Sequence, residues 1–345
     1  MSVTCVGAAL AAPSAIYGQW DMQDSGVKES LRGVSWVGGG VAWASGTHGT
    51  VLRTEDGGYV WQRCGRPDGA EELDFRGVVG FDANTALVMS SGKGALSRLY
   101  KTTDGGSSWK LLATNSDAEG FWDALAAAGP TDQKRLVILG DPVGGRFVVR
   151  SSEDGGTTWK NEEVDAAFKD EGAFAASNSS LVMVGKAGFF VTGGPEGARL
   201  YTLSEKRWVA RAMPEFAKGE SAGIFSIAAA DATHLVAVGG DYKKADAAVE
   251  NAAWSEDGGK TWGAASRRPE GYRSAVAYDL KEKVWIAVGP SGTDISRDGG
   301  KNWVPIKPGA GESADTDTEW NALSMPFVVG SKGRVGKWRG DVAKR

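Results

Sequence analysis

Histidine is nearly absent from this chain. His48 and His234 are its two histidines, too few for an HExxH helix or any multi-histidine metal centre. Cysteine is as scarce: Cys5 and Cys64 stand alone, neither with a partner at metal-ligand spacing, so no disulfide framework is indicated. No apolar run reaches the length of a membrane span. An excess of positive charge is missing too. With 39 Lys and Arg against 43 Asp and Glu, the formal net charge is -4, whereas a general nucleic-acid binder is normally basic. There is no dinucleotide fingerprint, and neither cofactor nor metal is expected.

Glycine and tryptophan, by contrast, are plentiful, at 50 and 14 of 345 residues. Much glycine means many tight turns, and much tryptophan means that large rings anchor the packing. Both recur in one phrase: RTEDGGYVWQ from Arg53, TTDGGSSWK from Thr102, SSEDGGTTWK from Ser151, WSEDGGKTWG from Trp254 and SRDGGKNWV from Ser296. The aspartates are Asp56, Asp104, Asp154, Asp257 and Asp298. Each is followed at a fixed distance by a tryptophan: Trp61, Trp109, Trp159, Trp262 and Trp303. The gap from Asp154 to Asp257 is about twice the others, so one repeat has lost its aspartate, and Trp208 in YTLSEKRW marks its place. A period of roughly 40–50 residues belongs to propeller blades.

Around the first copy, LRGVSWV, VAWASG, TVLRT and VWQR read as four short strands separated by glycine-rich turns, which is one blade. The box falls between the third and fourth strands. Its carboxylate can accept from backbone N–H groups of its own turn, its glycines supply positive φ, and its tryptophan opens the fourth strand. This is a folding device rather than a reaction centre. Seven blades are expected, running from about 31–64, 74–112, FWDALAAAG, GAFAASN, IFSIAAA, YRSAVAY and WNALSM. The last has three strands of its own, and its fourth is expected from the segment beginning at Trp20, which closes the ring and removes the sheet edges. The fold class is therefore all-β: a seven-bladed propeller over residues 19–345, closed by a blade that the N- and C-terminal strands share. Residues 1–18, rich in small apolar side chains, resemble a secretory leader without its positive start; read as a leader they point to an exported, extracytoplasmic protein, and read as a plain apolar tail they leave it cytoplasmic. A monomer is expected.

The boxes resemble the aspartate-box (BNR) repeats of sialidases. The phrases LRGVSWVGGGVAWASGTHGTVLRTEDGG, GDPVGGRFVVRSSEDGGTTW, EGAFAASN, AGIFSIAAADATHLVAVGGDY and GYRSAVAY resemble more closely the photosystem II stability/assembly factor-like propellers. That resemblance implies a seven-bladed, usually exported propeller that serves as an assembly or binding platform, not an enzyme. A protein or carboxylate-bearing partner is expected.

Three further motifs carry less. GESAG (219–223) matches a nucleophile elbow, but the segment after it reads as strands where the elbow needs a helix. DTDTE (315–319) alternates oxygen ligands but lacks the glycine and distal glutamate of a calcium loop, and it is read as a solvated acidic connection. Asn178-Ser179-Ser180 is a glycosylation sequon, meaningful only in a eukaryotic secretory pathway.

The face opposite the boxes holds the binding candidates. Arg32 in LRGV, Arg76 in FRGV and Arg273 in YRSA begin innermost strands, with Trp122 and Tyr272 at similar positions, and Arg146 and Tyr242 lie on loops of that face together with Asp141. Converging arginines can hold a carboxylate by bidentate bonds; alternatively each pairs with a local acid such as Asp74, Asp123 or Glu270 and ties the blades together. The competing functional reading is a sialidase-like glycoside hydrolase, whose chemistry needs an arginine trio, a tyrosine nucleophile with its glutamate, and an acid/base aspartate. Arg32, Arg76, Arg273 and Tyr272 imitate part of that set, although the arginines fall where a repeat alone would put them. No catalytic residue is assigned.

Overall fold

Runs such as Val41–Gly46 and Val284–Gly289 are short, rich in β-branched and aromatic residues and bounded by glycine turns, the pattern of strands buried on both faces. Such runs build the whole molecule, a computed structural model that describes residues 16–17, 19–129, 132–213, 216–247 and 249–340. Seven antiparallel sheets form, one for each expected blade. In the first, Leu31–Gly38, Val41–Gly46, Val51–Thr54 and Gln62–Arg63 run from the centre of the ring outward. Blade 7 is composite: Trp320–Ser324, Phe327–Gly330 and Val335–Trp338 come from the C-terminal end, and Trp20–Gln23 completes it, with Trp20 opposite Trp338. Trp20 is buried, its ring 5.0 Å from that of Trp338 and 6.0 Å from that of Trp320, and its indole N–H donates to Thr293 of blade 6 at 3.0 Å. Ile16–Tyr17 add a short parallel pairing to the outer strand of blade 6.

The core is divided among the seams. Each of seven buried apolar clusters lies between two neighbouring blades. Between blades 2 and 3, for example, Phe81, Leu87, Met89 and Leu99 face Trp122, Leu125, Leu136 and Ile138. A fully buried side chain of this size contributes about 1.5–3 kcal/mol, so each seam is a small core.

The boxes fold alike. In blade 2 the Thr102 hydroxyl donates to Asp104 Oδ1 at 2.8 Å and accepts from the buried Gly106 N–H at 2.9 Å, while Asp104 Oδ1 accepts from Ser108 N–H at 2.9 Å. Ser152, Ser255 and Ser296 repeat this in blades 3, 5 and 6, and Thr54 in blade 1. Gly105 and Gly106 sit at φ +73° and +82°, conformations other residues rarely adopt. The carboxylate does bond its own turn, but the buried donor is held by the hydroxyl two residues earlier. Hydrogen bonds from Ser108 hold Asp104 down at about 2. Blade 4 has no box: Ser204 pairs with Arg207 across a two-residue turn, and Trp208, as expected, lies in the fourth strand, outside which Glu163–Val164 adds a short parallel pairing.

Blade 4 also departs from expectation at its inner strand, which covers Leu181–Val184 rather than starting at GAFAASN. Gly172 pairs with Gly193 and Leu181 with Phe190, so the chain between Gly172 and Leu181 is far longer than the partner segment it faces. The surplus is a large bulge that crosses the central channel. Asn178 bonds Leu125 N–H and C=O of blade 3, Ser177 donates to Ser274 C=O of blade 6, Ser179 meets Ser226 of blade 5, and Arg76 of blade 2 donates to Ala175 C=O.

Candidate functional site

The innermost strands share a defect that creates the site. Their pairing slips by one residue between Leu31 and Gly33, Phe75 and Gly77, Trp122 and Ala124, Ile224 and Ser226, and Trp320 and Ala322. The residue left over at each slip is Arg32, Arg76, Asp123, Phe225 or Asn321. A β-bulge re-aims the side chain of its extra residue, and all five line one cavity of about 570 Å³ at the mouth of the channel. Ser274 of blade 6 lines it as well, and Phe174, Ala175 and Ala176 of the blade 4 bulge contribute its floor. Directly after each re-aimed residue stands a small one. A Cβ on Gly33 would come within 2.8 Å of Arg76 C=O, so the inner strands approach too closely there for anything larger.

The cavity wall changes character around the ring. On the side of blades 1 and 2, Arg76 Nε donates to Asp74 at 2.7 Å while Arg32 Nε stands 3.8 Å from the same carboxylate. Two guanidiniums, each about a quarter exposed, thus share one acid, and Arg32 Nε makes no hydrogen bond. Burial first, and then the neighbouring Arg76 charge, hold the Arg32 guanidinium below its ordinary value; an arginine so placed still remains a cation. Opposite them lies an aromatic wall: Phe174 stacks on Phe225 at 3.7 Å, and Phe225 meets Tyr272 edge-on at 4.7 Å and Tyr242 at 6.1 Å. Burial pushes the Tyr272 hydroxyl far above its usual range. Blade 3 supplies Asp123 and Asp141.

Arg32, Arg76, Tyr242 and Tyr272, four of the residues expected at the mouth, therefore meet in one cavity. The other three do not join them. Arg273 is sealed inside blade 6, 1% exposed, with Nε 2.7 Å from Asp294 Oδ2 and Nη1 bonded to Ser291 and Tyr272 C=O. Its partner is Asp294 rather than Glu270, which binds Lys307 instead. Trp122 is buried in the seam between blades 2 and 3. Arg146 lies exposed at the rim and donates to Val164 C=O at 2.5 Å. The arginine trio that a sialidase-like site needs is thus not assembled. Ser221 of GESAG donates to Asp241 at 2.7 Å and leads into the strand Ala222–Ala229, not a helix. Nor is DTDTE solvated throughout: Asp317 is buried and accepts from Thr293 and the Trp320 indole. Among the described residues no His, Cys, Asp and Glu cluster is arranged to hold a metal, and no helix is long and apolar enough to cross a membrane.

Sequence reasoning missed Phe225, Ser274 and Asn321, and it offered Asp123 only as a partner for an arginine, whereas Asp123 lines the cavity with its Oδ2 unpaired. The signal was present: aligning LRGV, FRGV, WDAL, IFSI, RSAV and WNAL by their third, small residue puts one mouth residue from each of six blades in a single column.

Fold and site together define a seven-bladed propeller with a mixed-charge, aromatic-walled mouth. Within that class the chain belongs to the photosynthesis system II assembly factor YCF48 family, whose model matches residues 12–339. A photosystem II assembly lipoprotein Ycf48 from Synechococcus sp. (strain CC9902) is 22% identical over 338 residues, covering 95% of this chain and 91% of the relative. Two solved structures share the fold. YCF48 bound to a D1 peptide gives a TM-score of 0.65 at 18% identity, covering 95% of this chain and 99% of that one. YCF48 from Cyanidioschyzon merolae gives 0.62 at 18% identity, covering 93% and 98%. The fold also recurs in an ancestral GH74 enzyme, with a TM-score of 0.57 at 15% identity, where 90% of this chain covers 41% of the enzyme.

Proposed function

We propose that this protein is a non-catalytic assembly platform that grips an extended, carboxylate-bearing segment of a partner protein at the mouth of its channel. One observation carries the reading: Arg32 and Arg76 share the single carboxylate of Asp74 in a cavity walled by aromatic rings. An incoming carboxylate supplies the acceptor that Arg32 lacks, in a partly desolvated setting where charge-assisted bonds are strong. Phe174, Phe225, Tyr242 and Tyr272 offer the neighbouring apolar surface, and aromatic and arginine residues dominate interface hot spots. Kinship supports the same reading, since one solved relative holds a D1 peptide. An extracytoplasmic location goes with it, supported by the lipoprotein name of the Synechococcus relative and tested by fractionating the source cells.

The experiment is fluorescence anisotropy with labelled acidic peptides and their glutamine-substituted counterparts. The double variant Arg32→Glu, Arg76→Glu is expected to weaken acidic-peptide binding about tenfold or more while the protein still melts cooperatively. Unchanged binding by the folded variant places recognition elsewhere.

A further inference from the structure

The acidic wall of the mouth is unexplained by a carboxylate-binding role. Asp123 occupies the same ring position in blade 3 that Arg32 and Arg76 occupy in blades 1 and 2. It is 1% exposed, it lines the cavity, and its Oδ2 has no hydrogen-bond partner. Asp141, at the end of the second strand of the same blade, lines the cavity beside it and accepts from Ala173 N–H at 3.0 Å through Oδ1. A buried polar atom without a partner costs free energy. A bound group that donates hydrogen bonds would satisfy it.

We propose that Asp123 and Asp141 form a second subsite, which takes an ammonium or other cationic hydrogen-bond donor, so that the mouth recognises a segment carrying a carboxylate and a basic group in sequence. This rests on the arginine reading above and names the other half of the ligand. The two acids divide the task. Burial, reinforced by the Asp141 charge, pushes Asp123 well up, while Arg76 pulls the other way; its unpartnered Oδ2 is the acceptor offered to the bound group. Burial pushes Asp141 up to about 6, which leaves it ionised at neutral pH and able to meet a cation. The other charged or titratable groups at this mouth are Arg32, Arg76, Asp74, Tyr242 and Tyr272. Residues 172–180 of the bulge carry no ionisable side chain, and Glu171 beside them is engaged by Arg199. The sign is fixed by Asp141: below about 6 it gains a proton and its attraction for a cation is lost.

The probes are ω-amino acids from γ-aminobutyrate to ε-aminocaproate, each compared with the plain alkanoate of its length by NMR titration of the tryptophan indole signals. Wild-type protein should bind the amino acid of the best length about five-fold tighter than its alkanoate at neutral pH. That preference should disappear in Asp141→Asn, which keeps the bond from Ala173, and should shrink in wild-type protein as the pH falls through about 6. The wild-type pH profile decides the matter if the variant does not fold. Equal binding of amino acid and alkanoate, with both lost in Arg32→Gln, overturns the second subsite and leaves the arginine reading intact. If the alkanoates do not bind at all, the arginine reading falls and this proposal falls with it.

Discussion

Arg76 and Arg273 lie one position apart in the same repeat, and that step separates two fates. Arg76 is the extra residue of a bulge and reaches the channel mouth, held by Asp74 yet a quarter exposed. Arg273 stands one residue ahead of its blade's mouth position, which is Ser274, and is closed inside blade 6 against Asp294. Because side chains alternate along a strand, a shift of one residue exchanges the faces. The lesson is that arginine at the start of an inner strand has no fixed role in this propeller. Register decides whether it fastens a blade or meets a ligand.

Removing the fastener should have the largest effect. Arg273→Gln leaves Asp294 buried without its counter-charge and should cost about 3–5 kcal/mol, read as a fall in the denaturant midpoint. A change of less than about 1 kcal/mol would erase the distinction drawn between the two arginines. A box hydroxyl offers an intermediate case. Thr102→Ala strips the buried Gly106 N–H of its acceptor and should cost about 1–3 kcal/mol, while binding of acidic peptides stays unchanged. Equal stability would mean that the hydroxyl is not what organises the box. Least affected should be Arg32→Gln, at the mouth, with no hydrogen bond from its Nε to lose. Its stability should stay within about 0.5 kcal/mol of wild type, although carboxylate binding weakens.

The blade count and the closing strand were legible in the sequence because Asp56, Asp104, Asp154, Asp257 and Asp298 recur with their tryptophans, and because the three C-terminal runs need a fourth. Trp208 preserved the beat where the aspartate was gone. The mouth was only half legible. LRGV and FRGV show their arginines directly, but in RSAV the conspicuous arginine precedes the mouth residue and is neutralised by Asp294, which no local pattern links to it. WDAL hides Asp123 behind the larger Trp122, whose ring belongs to a seam. EGAFAASN reads as a strand by composition, yet the tight approach of Gly193 and Gly223, where a Cβ on one would come within 2.6 Å of the other, goes with a detour into the channel. In the boxes, Asp104 drew attention from Thr102, since an aspartate at fixed spacing is easier to see than a hydroxyl that alternates between serine and threonine.

The pairing of Trp20 with Trp338 also sets a timetable. The strand made among the first cannot find its place until the blade made last has left the ribosome. At about 5–20 residues per second this is a wait of roughly 15 s to a minute. Six blades can form and stack in that interval, but the circle stays open, with Trp20–Gln23 unpaired and Trp20 without the rings of Trp320 and Trp338. A nascent or translocating chain is therefore most vulnerable to strand exchange with a second copy in the interval before Val335–Trp338 emerges, and the ring closes only once that strand is available.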